Sequence, residues 1–185
     1  MKATGIIRRI DDLGRVVVPR EIRRTLRIRE GDPLEIFVGG EGEVIFKKYS
    51  PIGELENFAK EYADVLHETV GHIAMIADRD VIIAVAGANK REFVSKPIGN
   101  SVKQALEERT TLIMNDLQAA DDETLHVIQT DGHTIKSQVI APIITQVDPI
   151  GAVIIASKEN GVKLGDIEVK LAETAARFMA KQTEQ

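Results

Sequence analysis

The sequence predicts an α+β protein of two unlike domains, and three observations lead there. Charge is divided along the chain: Met1 to Arg29 holds nine Lys or Arg against three Asp or Glu, a net of +6, whereas Glu30 to Gln185 carries 15 against 26, a net of −11. Residues 1–50 alternate short β-branched runs with one short helix, a unit too small to bury a core alone. The remainder has helix-period apolar stripes at both ends of a strand-rich middle. A basic head on an acidic body suits a polyanionic partner, although a solvated basic face would give the same counts.

Within the head, Gly5 to Ile10 (GIIRRI) reads as a strand. Asp11 to Gly14 is a turn, with Gly14 free to take positive φ. Arg15 to Val18 is a second strand, and Pro19 ends the ladder and suits the first position of a helix. That helix, Arg20 to Leu26, places Ile22 and Leu26 on one face and leaves Arg23, Arg24 and Arg27 to solvent. Gly31-Asp32-Pro33 breaks the chain. Leu34 to Val38 alternates as a strand, Gly39 to Gly42 turns, and Glu43 to Tyr49 returns. Units below roughly 40–60 residues are marginal without a metal, a disulfide or a partner chain. The chain has no Cys, and the head has no His. The missing burial must come from a second copy, so an obligate dimer is expected.

Ser50-Pro51-Ile52-Gly53 reads as the junction, giving a domain over 1–50, a linker over 51–53 and a second domain over 54–185. Glu54 to Thr69 is an amphipathic helix with Leu55, Phe58, Ala59, Tyr62, Val65, Leu66 and Thr69 on one stripe. Ile73 to Ala77 and Val81 to Ala86 form a hairpin about Asp78-Arg79-Asp80. Gly87 to Ile98 is irregular or partly helical, and Gly99 to Glu108 is a helix. Asp121-Asp122-Glu123 is a solvated loop before a short strand, Thr124 to Ile128. Thr134 to Ile144 and Pro149 to Ser157 are long strands. The last helix, Asp166 to Gln185, carries Ile167, Leu171, Ala175, Phe178 and Met179 on one side.

Composition removes several function classes. Without Cys there are no disulfides, thiolate metal sites or cysteine nucleophiles. Aromatic residues make up 4%, with no Trp, too few for stacking single-stranded nucleic acid. No secretion signal and no membrane-spanning run is expected, which places the protein in the cytoplasm. His67 and His72 straddle a helix end, His126 and His133 straddle a turn, and none has zinc-site spacing. No nucleophile elbow, phosphate loop or paired carboxylates occur, so neither enzymatic activity nor a cofactor is expected.

The segment Gly14 to Tyr49, GRVVVPREIRRTLRIREGDPLEIFVGGEGEVIFKKY, resembles the swapped-hairpin DNA-binding domain of the AbrB type. Gly-Arg before a Val-rich strand, Val18 before the strand-to-helix proline, the Arg-rich helix and Gly-Asp-Pro-Leu-Glu carry the likeness. It implies a β-barrel made of two interleaved hairpins, with double-stranded DNA as partner. It maps the DNA contacts onto Arg8, Arg15, Arg23 and Arg24, with Lys2, Arg9, Arg20 and Arg27 as phosphate contacts of a second tier. Lys2-Ala3-Thr4-Gly5 and the acidic second half narrow the resemblance to regulators with a GAF-like second domain that act late in bacterial spore formation, as activator and repressor. Ala141 to Ile144 and Asp148 to Val153 support the GAF likeness. That domain implies an antiparallel sheet with flanking helices. An effector pocket, its ligand unknown, would lie beneath the loops of Ala86 to Asp122. The stripe of Leu55, Phe58, Tyr62, Val65 and Leu66, with Phe178, is the candidate surface for pairing dimers into a tetramer.

Two other readings stay open: an antitoxin whose tail neutralises a toxin, and a sensor or scaffold with no DNA role. A helix-turn-helix is rejected, because strands and not a second helix flank the Arg-bearing helix.

Overall fold

The computed structural model describes residues 6–54, 56–117, 126–128, 135–146 and 148–184. The chain divides into two compact units, Met1–Tyr49 and Ser50–Gln185.

In the first unit, helix α1 (Arg20–Thr25) starts from Pro19, whose φ of −58° and ψ of 146° turn the extended chain into the helix. Pro19 thus caps the helix instead of occupying its first turn. The far end is closed by reciprocal backbone bonds: Arg27 takes φ 54°, its N–H donates to Arg24, and the Ile28 N–H donates to Arg23 at 2.8 Å. That double closure satisfies carbonyls the helix would otherwise leave open. Strands β1 (Leu34–Val38) and β2 (Val44–Lys48) form an antiparallel hairpin pairing Ile36 with Phe46, Phe37 with Ile45 and Val38 with Val44. Because faces alternate along a strand, both faces of this ribbon carry large apolar side chains.

Two expectations fail within this unit. Residues 6–10 and 15–18 belong to no ladder among the described residues. A strand needs a neighbour for its N–H and C=O groups, and one chain offers these segments none. Leu26 was assigned to an apolar helix face, yet it is exposed and α1 buries no residue. The Asp11 to Gly14 turn does form, and Gly14 takes φ 76°.

The second unit begins with α2 (Pro51–Glu54), where a linker was expected, and Ile52 is fully buried in the core that follows. Next come α3 (Glu56–Val70), the hairpin β3 (Ile73–Asp78) and β4 (Ile82–Ala86), then α4 (Lys90–Phe93) and α5 (Asn100–Glu108). Strands β5 (Leu112–Met114), β6 (Ser137–Ile144) and β7 (Pro149–Ser157) precede the final helix α6 (Asp166–Gln182). The strands make one five-stranded antiparallel sheet in the order β4-β3-β7-β6-β5.

Core lies on both faces of this sheet. Ala59, Ala63 and Leu66 of α3, with Ala172, Ala175 and Met179 of α6, pack against Ile76, Val139, Val153 and Ile155. On the other face, Phe93, Ile98, Val102 and Leu106 pack against Met75, Ile140 and Ile154. Strand β7 is central and covered on both sides, which explains its unbroken apolar run. The last helix turns Ala175 and Met179 of the expected face inward, with Leu171 partly buried, but not all of that face. Ile167 and Phe178 are exposed, whereas alanines at 172, 175, 176 and 180 are buried, since small side chains let the helix lie close to the sheet. Gly99 caps α5 and is crossed by residues 126–128. Its N–H donates to the Val127 carbonyl at 2.6 Å, and a Cβ there would overlap the His126 carbonyl.

Strand β5 was not expected, and among the described residues 126–128 of the proposed strand at Thr124 to Ile128 only Ile128 pairs, in an isolated bridge with Ile98. Residues 124 and 125 lie outside the described residues. So do the acidic run at 121–123 and His133. His67 Nδ1 lies 2.8 Å from the His72 carbonyl, and among the described residues no group of three or more His, Asp or Glu could hold a metal. No described helix is long and apolar enough to cross a membrane.

Candidate nucleic-acid interface

The basic residues of the first unit are displayed by two local structures. One is the turn at Asp11. The Asp11 carboxylate accepts from the Leu13 and Arg15 N–H groups through Oδ1 and from Arg15 Nε through Oδ2, the last two at 2.8 Å. The backbone of Asp11 also donates to the Arg15 carbonyl at 3.0 Å. These donors, led by the Arg15 backbone bond, hold the Asp11 carboxyl below its ordinary value, so it stays charged and clamps the turn at neutral pH. Arg15 remains exposed, and only Nε of its guanidinium is engaged in that pair. Arg8 and Arg9 are exposed on the extended arm before the turn.

The second structure is α1. Arg20 and Arg24 stand one helical step of four apart and are exposed, as is Arg27 in the left-handed residue that closes the helix. Like charges at such spacing repel, so this helix concentrates positive potential at a cost to its own stability. Arg23 differs. It is half-buried, and its Nε is buried with no hydrogen-bond partner among the described residues. The expectation that Arg23 is solvated therefore fails. Lys48 and Asp32 tie the hairpin to the segment after α1: Lys48 Nζ lies 3.1 Å from the Asp32 carboxylate and donates to the Arg27 carbonyl at 3.0 Å. Lys2 lies outside the described residues.

The candidate pairing residues of the second unit fall into two groups. Phe58, Tyr62 and Phe178 form a ring cluster with every centroid separation 5.8 Å. Phe178 is 42% exposed and Val65 57% exposed, so this patch reaches the surface. Burial raises the Tyr62 phenol above its ordinary value. Leu66 is 5% exposed and belongs to the chain's own core. Leu55 lies outside the described residues. Within the stretch Ala86 to Asp122 expected to roof an effector pocket, Phe93 and Val102 are fully buried, as are Met75 and Ile154 of the sheet beneath, and residues 118–122 lie outside the described residues.

Known proteins resemble the whole chain as well as each unit. Residues 54–184 match the family described as "Stage V sporulation protein T C-terminal, transcription factor". Residues 7–53 match "Antidote-toxin recognition MazE, bacterial antitoxin". Over 185 residues, 100% of both chains, the sequence is 52% identical to stage V sporulation protein T of Bacillus subtilis (strain 168). It is also 61% identical over 51 residues to transition state regulatory protein AbrB of that organism, a match covering 28% of this chain and 52% of the relative. Among solved structures, the GAF domain of an Acinetobacter phosphoenolpyruvate-protein phosphotransferase matches with a TM-score of 0.58 at 10% identity, covering 75% of this chain and 84% of that one. The GAF-B domain of DevS from Mycobacterium smegmatis matches with a TM-score of 0.54 at 14% identity, covering 73% and 93%. At such identities the likeness establishes the fold, which is that of a GAF domain.

An AbrB-type head followed by a GAF-like domain defines a class of bacterial transcription regulator. Within it, this chain belongs to the stage V sporulation protein T family.

Proposed function

We propose that the protein acts by binding double-stranded DNA through its head, not by catalysis, and that two chains together build the binding face. One observation carries the reading: the unit with the net positive charge is also the unit that cannot bury its own apolar surface. Among the described residues of 6–49, Pro19 alone is buried. Ile7 is 88%, Val17 72% and Val38 83% exposed. A lone two-stranded ribbon of this kind is marginal at best in water. A second copy laid against it covers the apolar arms, supplies partners for residues 6–10 and 15–18, and brings two copies of the basic segment Met1 to Arg29, each of net +6, onto one head. Arg8, Arg15, Arg23 and Arg24 are the contacts proposed to read and grip the duplex, because a planar guanidinium fits guanine edges and phosphates. Arg9, Arg20, Arg27 and Lys2 serve the phosphates.

The patch of Phe58, Tyr62, Val65 and Phe178 joins two dimers, so that two heads engage one DNA and gain avidity. The protein would work in the cytoplasm on the nucleoid, in the forespore, on genes late in spore formation, as activator and repressor and under a small-molecule effector. The antitoxin reading draws on the match of residues 7–53 to the MazE family. It needs a tail that folds on its toxin, whereas residues 50–184 bury cores of their own on both sheet faces.

Duplex binding followed by fluorescence anisotropy across a salt series tests this. Affinity should fall steeply as salt rises, by about 0.9 in log K per log salt for each phosphate neutralised. Arg24→Ala and Arg15→Ala should each weaken binding by about 1–3 kcal/mol without changing the mass of the assembly. A flat salt response removes the DNA reading. A variant that dissociates the oligomer removes the role given to that arginine.

A further inference from the structure

The carboxylate of Asp11 does two separable things in the turn that carries Arg15. Its Oδ1 accepts from the Leu13 N–H at 3.0 Å and from the Arg15 N–H at 2.8 Å, which shapes the backbone. Its Oδ2 accepts instead from Arg15 Nε at 2.8 Å, a bond the turn does not need. The backbone already closes the turn by itself: the Gly14 N–H donates to the Asp11 carbonyl and the Asp11 N–H to the Arg15 carbonyl, both at 3.0 Å.

Crowding does not force the side-chain pair. The Arg15 side chain is 69% exposed, and an ion pair so open to water adds little stability. Arg8, Arg9, Arg20 and Arg24 are exposed too, and among the described residues they have no carboxylate partner. Arg15 is thus singled out from them by an acidic residue of its own turn.

The pairing mode decides what Arg15 can still do. A guanidinium presents one donor edge through Nε and another through the fork of Nη1 and Nη2. Asp11 takes the first, so the fork points away from the carboxylate. That fork is the donor pair that matches O6 and N7 of guanine in the major groove. Held in advance, it has less freedom to lose on docking. The carboxylate also cancels a positive charge at the site, which weakens a grip made on phosphate alone. A guanidinium clamped in this way suits a base, and an unclamped one such as that of Arg20 suits phosphates.

We infer, building on the proposed duplex binding by the head, that Asp11 is a positioning residue for base recognition. By holding Arg15 Nε it presents the Nη1–Nη2 fork to a guanine, and it trades phosphate affinity for sequence preference.

The test uses the full chain and a pool of random-sequence duplexes. Retained fragments are sequenced, and binding of the unselected pool is followed by fluorescence anisotropy across salt. Arg15→Ala identifies the position that Arg15 reads, as the guanine whose enrichment disappears. Asp11→Asn keeps an oxygen for the Leu13 and Arg15 N–H groups, so the turn holds, but replaces the acceptor of Nε with an amide. It should cut the guanine preference at that same position by about tenfold, within what a bidentate base contact discriminates, and leave the other positions as they were. Binding of the unselected pool should stay equal or rise, since each chain loses one negative charge. In an Arg15→Ala background, Asp11→Asn should change no position further, whereas a loosened turn would still disturb the rest. Three results would each overturn the inference while duplex binding stands: the guanine preference kept in Asp11→Asn, a loss spread over every position, or parent preferences that Arg15→Ala leaves untouched. A parent that retains no duplex removes the DNA reading and this inference together.

Discussion

The two units of this chain meet the burial requirement in opposite ways. In the second, a central strand is covered on both faces, and Phe93, Met75, Ile154 and Met179 are fully inaccessible. In the first, the hairpin pattern is one part-buried residue followed by four exposed ones in β1, mirrored in β2. The polar clamps also differ. Around the second unit's sheet they join distant segments, as where Asn115 exchanges two hydrogen bonds of 3.0 Å with the backbone of Leu164. In the first, the Asp11 clamp shapes a local turn, and the Asp32 pair with Lys48 ties the hairpin to the segment after α1 without supplying a core. A unit that cannot close on itself is a poor independent fold but a good site for function, because association, as proposed, would complete the fold and the charged face together.

This contrast can be broken by mutation, the largest effect coming first. Phe93→Ala leaves a cavity in a closed core, and urea denaturation should show a loss of about 3–5 kcal/mol in the second unit's transition. Val17→Ala separates the two views of the head. For a side chain 72% exposed, a change within about 0.5 kcal/mol is the norm. If a second chain covers Val17, the loss approaches the roughly 1.5–3 kcal/mol of full burial and depends on protein concentration. Phe178→Ala should lower the assembly mass in sedimentation from tetramer to dimer, with the second unit still folded. The same change should bring the Tyr62 phenol back toward its ordinary value in an ultraviolet titration. Because burial raises that value, the phenol's contribution in the parent is present below the ordinary phenol range and lost as pH rises through the raised value. Asp11→Asn should have the smallest effect. It frees Arg15 Nε, visible as faster hydrogen exchange of that group, and leaves the rest of the head intact. In the parent, the lowered Asp11 value keeps the clamp until pH falls well into the acid range.

Sequence periodicity located what local rules control. Strands β1 and β7 fall at the expected limits, and α3, α5 and α6 within a few residues, because apolar period, Gly99 and the capping Glu168 act locally. Other features depend on contacts distant in sequence. Strand β5 is three residues that become a strand only beside β6. Ile52 looked like linker because nothing nearby marks it as core. On α6, Ala175 and Met179 are buried as the stripe predicts, but Ala172, Ala176 and Ala180 are buried where the larger Ile167 and Phe178 are expected, since size signals burial only where a helix has room. The arginines were legible as a group from charge, but the half-burial of Arg23 was not, because α1's neighbours decide it.

The shared head is tested most directly by mixing full-length chains carrying carbon-13 with unlabelled chains and recording isotope-filtered contacts. The proposed shared barrel would place Ile7 and Val17 of one chain beside β1 and β2 of the other, so contacts between labelled and unlabelled molecules should appear at those methyl groups. Contacts confined to a single chain, in a head that stays folded on dilution, would contradict it.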